Sequence, residues 1–294
     1  NFVAAGIPCL GIEPTQGTAR AAAALGVPVI EEFFGEAMGR RLAGKGRAAD
    51  LVVGNNVYAH VPDINDFTRG LAALLKPEGV VTLEFPHLMR LIEHCQFDTA
   101  YHEHFSYLSL GVARRIFESA GLRVFDVEQL PTHGGSLRLY GCREGAAHAT
   151  RPAVAALIAE EKARGMQENA AYDSFQPRAE RLKDDLVAFL IEARRAGKTV
   201  AGYGAAAKGN TLLNFAGIRR DLLPFISDAA PSKQDRFMPG SHIPILAPAV
   251  LAERRPDYVL ILPWNIADEV RAQLAPLAAG GTRFVTAVPE LSIR

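Results

Sequence analysis

The sequence predicts an α/β fold: two Rossmann-like, doubly wound α/β domains joined by a helical connector. Three observations predict it. Short apolar runs alternate with amphipathic stretches through the first half, the same alternation restarts at Lys198, and the stretch between is rich in Ala, Glu, Lys and Arg. Strands alternating with helices of roughly ten residues indicate a mostly parallel sheet covered on both faces. The expected division is residues 1–145, 146–196 and 197–294. A chain of 294 residues with 49% hydrophobic content is long enough to bury two cores of ordinary size.

Element by element, Asn1-Phe-Val-Ala-Ala-Gly6 reads as a helix end closed by glycine, so the sequence is expected to begin inside a fold. A strand over 8–13, an alanine-rich helix over 16–25 stopped by Gly26, and a strand over 27–30 follow. Next come a helix over 32–42, a strand over 50–54, a helix over 64–75, a strand over 79–84 and a helix over 111–120. Residues 123–129 and 136–141 alternate apolar and polar positions across Pro131-Thr-His-Gly-Gly135, which predicts a strand pair joined by a simple hairpin turn. Helices over 152–170 and 175–196 form the connector, with Pro152 as a start signal and Pro177 as a break. The second alternation runs strand 198–203, helix 207–216, strand 223–227, strand 242–246, helix 248–253, strand 257–262, helix 267–278 and strand 282–287.

Composition narrows the function. Thirty-two basic residues balance thirty-two acidic ones, which gives no electrostatic case for nucleic acid or an anionic membrane surface. Cys9, Cys95 and Cys142 are far apart and form no CxxC pair, pointing to reduced thiols, a cytoplasmic setting and no zinc site within this sequence. No apolar run approaches the roughly 18 residues of a membrane span.

The densest chemistry lies at Tyr101-His102-Glu103-His104, with Glu93, His94 and Asp98 just upstream. Histidine has a free pKa of about 6.5, so a His beside a carboxylate and a phenol suits proton transfer. A metal site is the rival reading, but no HExxH or other ligand spacing accompanies the pair, and none is expected. Glu13 ends a strand where an acidic side chain commonly meets ribose hydroxyls. The glycine-rich turn that should precede it by about 20 residues has no room in the twelve residues ahead of Glu13. Asn55, Asn56 and His60 follow the strand over 50–54, at the carboxyl rim where open α/β sheets bind ligands. They equally suit a helix cap and a surface histidine. In the second half, Val200-Ala-Gly-Tyr203-Gly204-Ala-Ala-Ala-Lys208-Gly-Asn210 runs from a strand through a small-residue turn into a helix. Such a turn lets backbone N–H groups and a helix N-terminus meet a phosphate. It is not a Walker A sequence. Asp228, Lys233 and Trp264 follow later strands; Trp264, the only tryptophan, lines a ligand crevice or packs in the core.

Asn-Val-Tyr-Ala-His60, Glu84-Phe-Pro-His87, Asp98-Thr-Ala-Tyr-His-Glu-His-Phe-Ser-Tyr107 and the Gly202–Asn210 turn together resemble the S-adenosylmethionine-dependent sugar C-methyltransferases, over essentially the whole sequence. That family methylates the carbon next to the ketone of nucleotide-linked 4-keto-deoxysugars. The resemblance implies a methyltransferase domain over 1–145, S-adenosylmethionine near Glu13, Asn55 and Asn56, and a nucleotide-sugar domain over 197–294. His104 would be the base that takes the C3 proton, supported by Glu103, with Tyr101 and His60 on the sugar. Tyr203, Gly204, Lys208, Asn210, Asp228, Lys233 and Trp264 would hold the nucleotide sugar, in a monomer. The family also carries an N-terminal segment with CxxC pairs and the glycine loop. Neither is in this sequence, so zinc is expected only in that segment, and the chain resembles an N-terminally truncated member. The competing expectations are an NAD-dependent nucleotide-sugar oxidoreductase, with NAD on the Gly202–Gly209 turn, and a non-catalytic nucleotide-sugar-binding fragment.

Overall fold

The computed structural model describes residues 1–294. From the amino end come β1 (Gly11–Ile12), α1 (Gln16–Ala24), β2 (Val29–Ile30), α2 (Glu36–Gly44) and β3 (Ala49–Asn55). Next are α3 (Ile64–Leu74), β4 (Leu75–Pro86), α4 (Leu88–Glu93), α5 (Leu110–Ser119), β5 (Leu122–Leu130) and β6 (Ser136–Arg143). Two helices, α6 (Pro152–Ala163) and α7 (Phe175–Arg195), precede β7 (Val200–Tyr203), α8 (Ala207–Phe215), β8 (Ile226–Ser227) and β9 (Arg236–Phe237). The remainder is β10 (Pro244–Leu246), α9 (Ala249–Arg254), β11 (Tyr258–Ile261), α10 (Ala267–Gln273), α11 (Ala275–Ala279), β12 (Arg283–Thr286) and β13 (Ser292–Ile293).

These elements form two compact units. One is Asn1–Glu84, Gly111–Glu128 and Arg138–Val154; the other is Phe85–Leu110, Gln129–Leu137 and Ala155–Arg294. Compactness therefore groups residues differently from the chain-order division at 145 and 196. The Tyr-His-Glu-His segment belongs to the second unit.

In the first unit, β1 and β2 pair in parallel as a sheet of their own, and a second sheet has the order β3-β4-β6-β5. The expectation was one continuous sheet. Helices α2 and α3 bury Met38, Leu42 and Leu74 against Val52, one face of β3. The opposite face keeps Leu51 and Val53 nearly half exposed, at 46% and 47%, as period-2 alternation requires of an edge strand covered on one side. Asp63 starts α3 by accepting from the Asp66 N–H at 2.8 Å.

The second unit is a seven-stranded sheet in the order β13-β12-β11-β7-β8-β10-β9. Its five central strands are parallel, and the two edge strands run antiparallel. Buried apolar runs such as Val259-Leu-Ile-Leu262 are what a parallel sheet covered on both faces needs. Helix α7 is part of this core. Ala179, Leu182, Leu186, Leu190 and Ala193 recur at helical spacing and pack with Val200, Leu212 and Leu213.

Two helices are shorter than their sequence pattern. α6 stops at Ala163 instead of 170, because Gly165 takes the left-handed conformation (φ 69°) and donates to the Lys162 carbonyl. The helix expected over 267–278 breaks at Leu274, where Pro276 lacks the N–H that would continue it. Pro177, read as a break, sits in the first turn of α7, where no intrahelical N–H is required.

Candidate active site

The second unit gathers its unusual side chains at the carboxyl edge of neighbouring strands β11, β7 and β8. Gly204 follows β7, Asp228 follows β8 and Trp264 follows β11. Gly204 has φ 88°, and a Cβ there would lie 2.5 Å from Pro263 Cδ. Only glycine permits both. The turn it makes is held by Asp228, whose Oδ2 accepts from the Ala205 N–H at 2.7 Å and from Lys233 Nζ at 3.3 Å. Its Oδ1 accepts from the Ala230 N–H at 2.8 Å. Asp228 is thus a buried loop clamp, and Lys233 is tied to it. Tyr203 is buried, and its hydroxyl donates to Gln273 at 2.9 Å.

Beyond the turn, α8 points its N-terminus toward the same edge. Lys208, in its first turn, donates to Asn265 Oδ1 at 2.7 Å and places Nζ 4.7 Å from the Trp264 ring centroid. This is a cation–π contact. Burial pushes the Lys208 ammonium below the usual lysine range, and the charge of Asp98 works against that shift. Asn210 lies two residues further on, with its Oδ1 buried and unpartnered.

The residues between Phe97 and Tyr107 meet this edge. Trp264 Nε1 donates to Asp98 Oδ2 at 2.7 Å, across 166 positions of sequence. Asp98 is completely buried, and burial raises its carboxyl to about 6, although Trp264 and Lys208 pull it down. Gly134 approaches the other side of the indole so closely that a Cβ would meet Trp264 at 2.4 Å, and Gln96 Nε2 donates to the Gly134 carbonyl at 2.7 Å. The glycine pair read as a simple hairpin turn is therefore also a packing surface for Trp264. Asp98, Asn265 and Gly134 were not among the expected site residues. The one local sign was an acidic residue between Phe97 and Thr99, a segment otherwise suited to burial.

The Tyr-His-Glu-His run bends back on itself. The His104 N–H donates to the Tyr101 carbonyl at 3.0 Å, closing a turn with His102 and Glu103 exposed at its corner. The turn stacks the Tyr101 and His104 rings at 4.4 Å, and Tyr107 meets His104 edge-on at 5.8 Å. His104 Nδ1 lies 2.9 Å from the Thr99 carbonyl oxygen. A carbonyl only accepts, so Nδ1 carries the proton and Nε2 is the basic nitrogen of the neutral ring. Burial, then the Glu103 charge, raises the Tyr101 phenol above its ordinary range, keeping it a proton donor at neutral pH.

In the first unit, Glu13 follows β1 and its Oε1 accepts from the Thr15 N–H at 2.8 Å. Asn55 ends β3. Asn56 takes a left-handed conformation (φ 54°), and its N–H donates to the Glu84 carbonyl at 2.8 Å. His60 closes a short 3-10 turn whose Tyr58 is buried with its hydroxyl 2.8 Å from Thr68 Oγ1. A carboxylate and two carboxamides at the carboxyl ends of parallel strands are a donor set that fits the ribose hydroxyls and amine groups of S-adenosylmethionine. No group of three or more His, Cys, Asp or Glu side chains is arranged to hold a metal ion, and no helix is long and apolar enough to cross a membrane.

The α/β fold thus sets a turn rich in titratable side chains and a glycine-turned helix N-terminus at one sheet edge. Residues 131–289 match the family described as C-methyltransferase C-terminal domain, and residues 3–127 match a methyltransferase domain family. The chain is 40% identical over 289 residues to the C-methyltransferase NovU of Streptomyces niveus, covering 98% of this chain and 69% of that protein. It belongs to the S-adenosylmethionine-dependent C-methyltransferases. Among solved structures, the PH0226 protein of Pyrococcus horikoshii aligns over 48% of this chain and 74% of its own, at 13% identity and a TM-score of 0.39. A methyltransferase of Thermotoga maritima aligns over 49% and 75%, at 17% identity and a TM-score of 0.37. Likeness of that depth bears on neither site nor substrate. Family membership displaces the competing expectation of an NAD-dependent oxidoreductase.

Proposed function

We propose that the enzyme methylates a nucleotide-diphosphate 4-keto-deoxysugar at the carbon next to the ketone, with His104 as the base. The observation that carries this reading is the fixed tautomer of His104. Thr99 accepts the Nδ1 proton, so the basic nitrogen of the neutral ring is Nε2, and the phenol of Tyr101 beside it is a donor suited to the sugar's keto oxygen. Bound S-adenosylmethionine would supply the electrophilic methyl group. Removing the proton next to the ketone would place the electron pair in an enolate, whose carbon would take that methyl as the methyl–sulfur bond breaks and the neutral thioether S-adenosylhomocysteine leaves. Glu103 stands at the exposed corner of the turn, and its support of His104 rests on the family resemblance.

Lys208, Gly204, Asn210 and the N-terminus of α8 suit the diphosphate, because a tight turn, a helix dipole and an ammonium group converge there. Trp264 offers an aromatic face beside them. Asp228 and Lys233 shape the turn. Glu13, Asn55, Asn56 and His60 lie in the first unit, and their roles toward cofactor and sugar rest on the family resemblance.

The test uses a thymidine-diphosphate 4-keto-6-deoxyhexose in deuterated buffer. Wild type is expected to exchange the proton next to the ketone and to transfer methyl from S-adenosylmethionine. His104→Ala should lower both rates by about 10²–10⁴-fold, the usual scale of a lost general base. Exchange at the wild-type rate in that variant would remove His104 from the role.

A further inference from the structure

We propose that Asp98 is a positioning residue of this enzyme, holding Trp264 by a hydrogen bond and Lys208 by charge. Through them it fixes the turn carrying Tyr101 and His104 against the loops that follow β7 and β11. Only the identity of what Lys208 binds rests on the nucleotide-sugar reading above.

The geometry is one-sided. Asp98 Oδ2 accepts the indole N–H at 2.7 Å, whereas Oδ1 is buried without a hydrogen-bond partner. Its side chain is completely buried, so it cannot itself touch a ligand. A neutral acceptor would satisfy the indole without burying a charge, and a buried charge is strongly unfavourable unless another charge answers it. Lys208 is the group that answers. Its ammonium lies over the ring that Asp98 holds and donates to Asn265, the next residue after Trp264. One carboxylate therefore orients both the aromatic wall and the cation beside it. Asp98 also lies in the short 3-10 turn Phe97–Thr99, whose last residue sets the His104 tautomer, and Phe97 packs against Phe215 of α8 at 5.0 Å.

The charged and titratable groups that face Asp98 are Lys208 from α8, and Tyr101 and Cys95 from its own segment. Of these, only Asp98 changes charge in mildly acidic solution, since burial lifts its carboxyl to about 6 while Lys208 stays cationic and Tyr101 and Cys95 stay neutral. Trp264 is the only tryptophan, so intrinsic fluorescence reads this one contact.

The experiment compares wild type, Asp98→Asn and Asp98→Ala in the intact protein. Wild-type Trp264 emission should change in one step near pH 6, and the step should be absent in Asp98→Asn. Asn keeps an acceptor for the indole but loses the charge. Its kcat should stay within about threefold of wild type, while KM for the nucleotide sugar rises about tenfold and stops varying with pH. Ala loses both, so kcat should fall about tenfold as well. Emission flat across roughly pH 5 to 8 in wild type would overturn the proposal. So would a step that survives in Asp98→Asn, or a folded Asp98→Ala with wild-type kcat and KM. Trp264→Phe removes the same hydrogen bond if Asp98→Ala does not fold, and wild-type kcat in that variant counts against the proposal equally. The emission titration needs no substrate. A protein that shows the step but methylates no nucleotide sugar refutes the substrate reading alone, and one that methylates with silent emission refutes this assignment alone.

Discussion

Strand β11 has an aspartate beside its start and a tryptophan held by another aspartate beyond its end, and the two carboxylates are opposites. At the amino end, Asp257 Oδ2 accepts from the Thr199 N–H at 2.8 Å and from Thr199 Oγ1 at 2.9 Å. Its Oδ1 accepts from Lys198 at 2.9 Å. Those hydrogen bonds, Thr199 first and then Lys198, hold it down to about 2. At the carboxyl end, Asp98 has one hydrogen bond, one unpartnered oxygen and a carboxyl raised to about 6 by burial. Asp257 stabilises the unit when charged, whereas Asp98 is charged at neutral pH at the expense of stability. The amino edge of this sheet is built to hold the strands together. The carboxyl edge tolerates unsatisfied groups, the buried oxygens of Asp98 and Asn210, at the rim where open α/β sheets bind their ligands.

The largest effect expected from breaking that contrast comes from Gly204→Val. A β-branched residue at φ 88° with its Cβ 2.5 Å from Pro263 combines backbone strain with a clash against a rigid ring. The second unit should lose about 2–4 kcal/mol of stability, read as a lower urea midpoint by Trp264 fluorescence, together with nucleotide-sugar binding. A midpoint unchanged from wild type would show that the turn does not require glycine. Asp257→Ala should do less and do it differently. Losing the Thr199 and Lys198 hydrogen bonds at a site one-third exposed lowers stability by about 1–2 kcal/mol. The variant should leave kcat and KM at their wild-type values, and a fall in kcat would end the division of labour between the two edges.

Much of the sheet edge was legible in sequence because its signals are local. The Gly202–Asn210 turn, the buried run before Trp264 and the density of titratable groups at 101–104 are each readable within about ten residues. An extended segment would send residues 101 and 104 to opposite faces. The turn closed by His104 N–H resolves this by stacking residues 101 and 104. What stayed hidden depends on distance in sequence. Nothing near Asp98 signals a tryptophan 166 positions later. Nothing near Gly134 signals that an indole will lie against it, so a hairpin turn was the sufficient reading. The helices over 152–196 looked like a connector because Ala, Glu, Lys and Arg dominate them. The spacing of Ala179, Leu182, Leu186, Leu190 and Ala193 shows instead a helix with one fully buried stripe.

The smallest expected effect is also the most direct comparison of the two carboxylates, because their pH dependences have opposite sign. Asp257 has a folded pKa of about 2, below its unfolded value of about 3.9. Its stabilisation is fully present above the unfolded value and fades as the pH falls toward 2. Asp98 has a folded pKa of about 6, above the same unfolded value. Between these two pH values the unfolded chain has released a proton that the folded chain still holds, so stability falls as pH rises and levels off above 6. Other carboxylates titrate in the same range, and subtracting Asp98→Asn from wild type at each pH removes them. The urea midpoint of wild type relative to Asp98→Asn should therefore drop between about pH 4.5 and 6.5, by the equivalent of no more than about 2 kcal/mol. A difference that grows in the opposite direction would mean that Asp98 is stabilised as the anion by Lys208 more than burial penalises it. The carboxyl edge would then be no less satisfied than the amino edge.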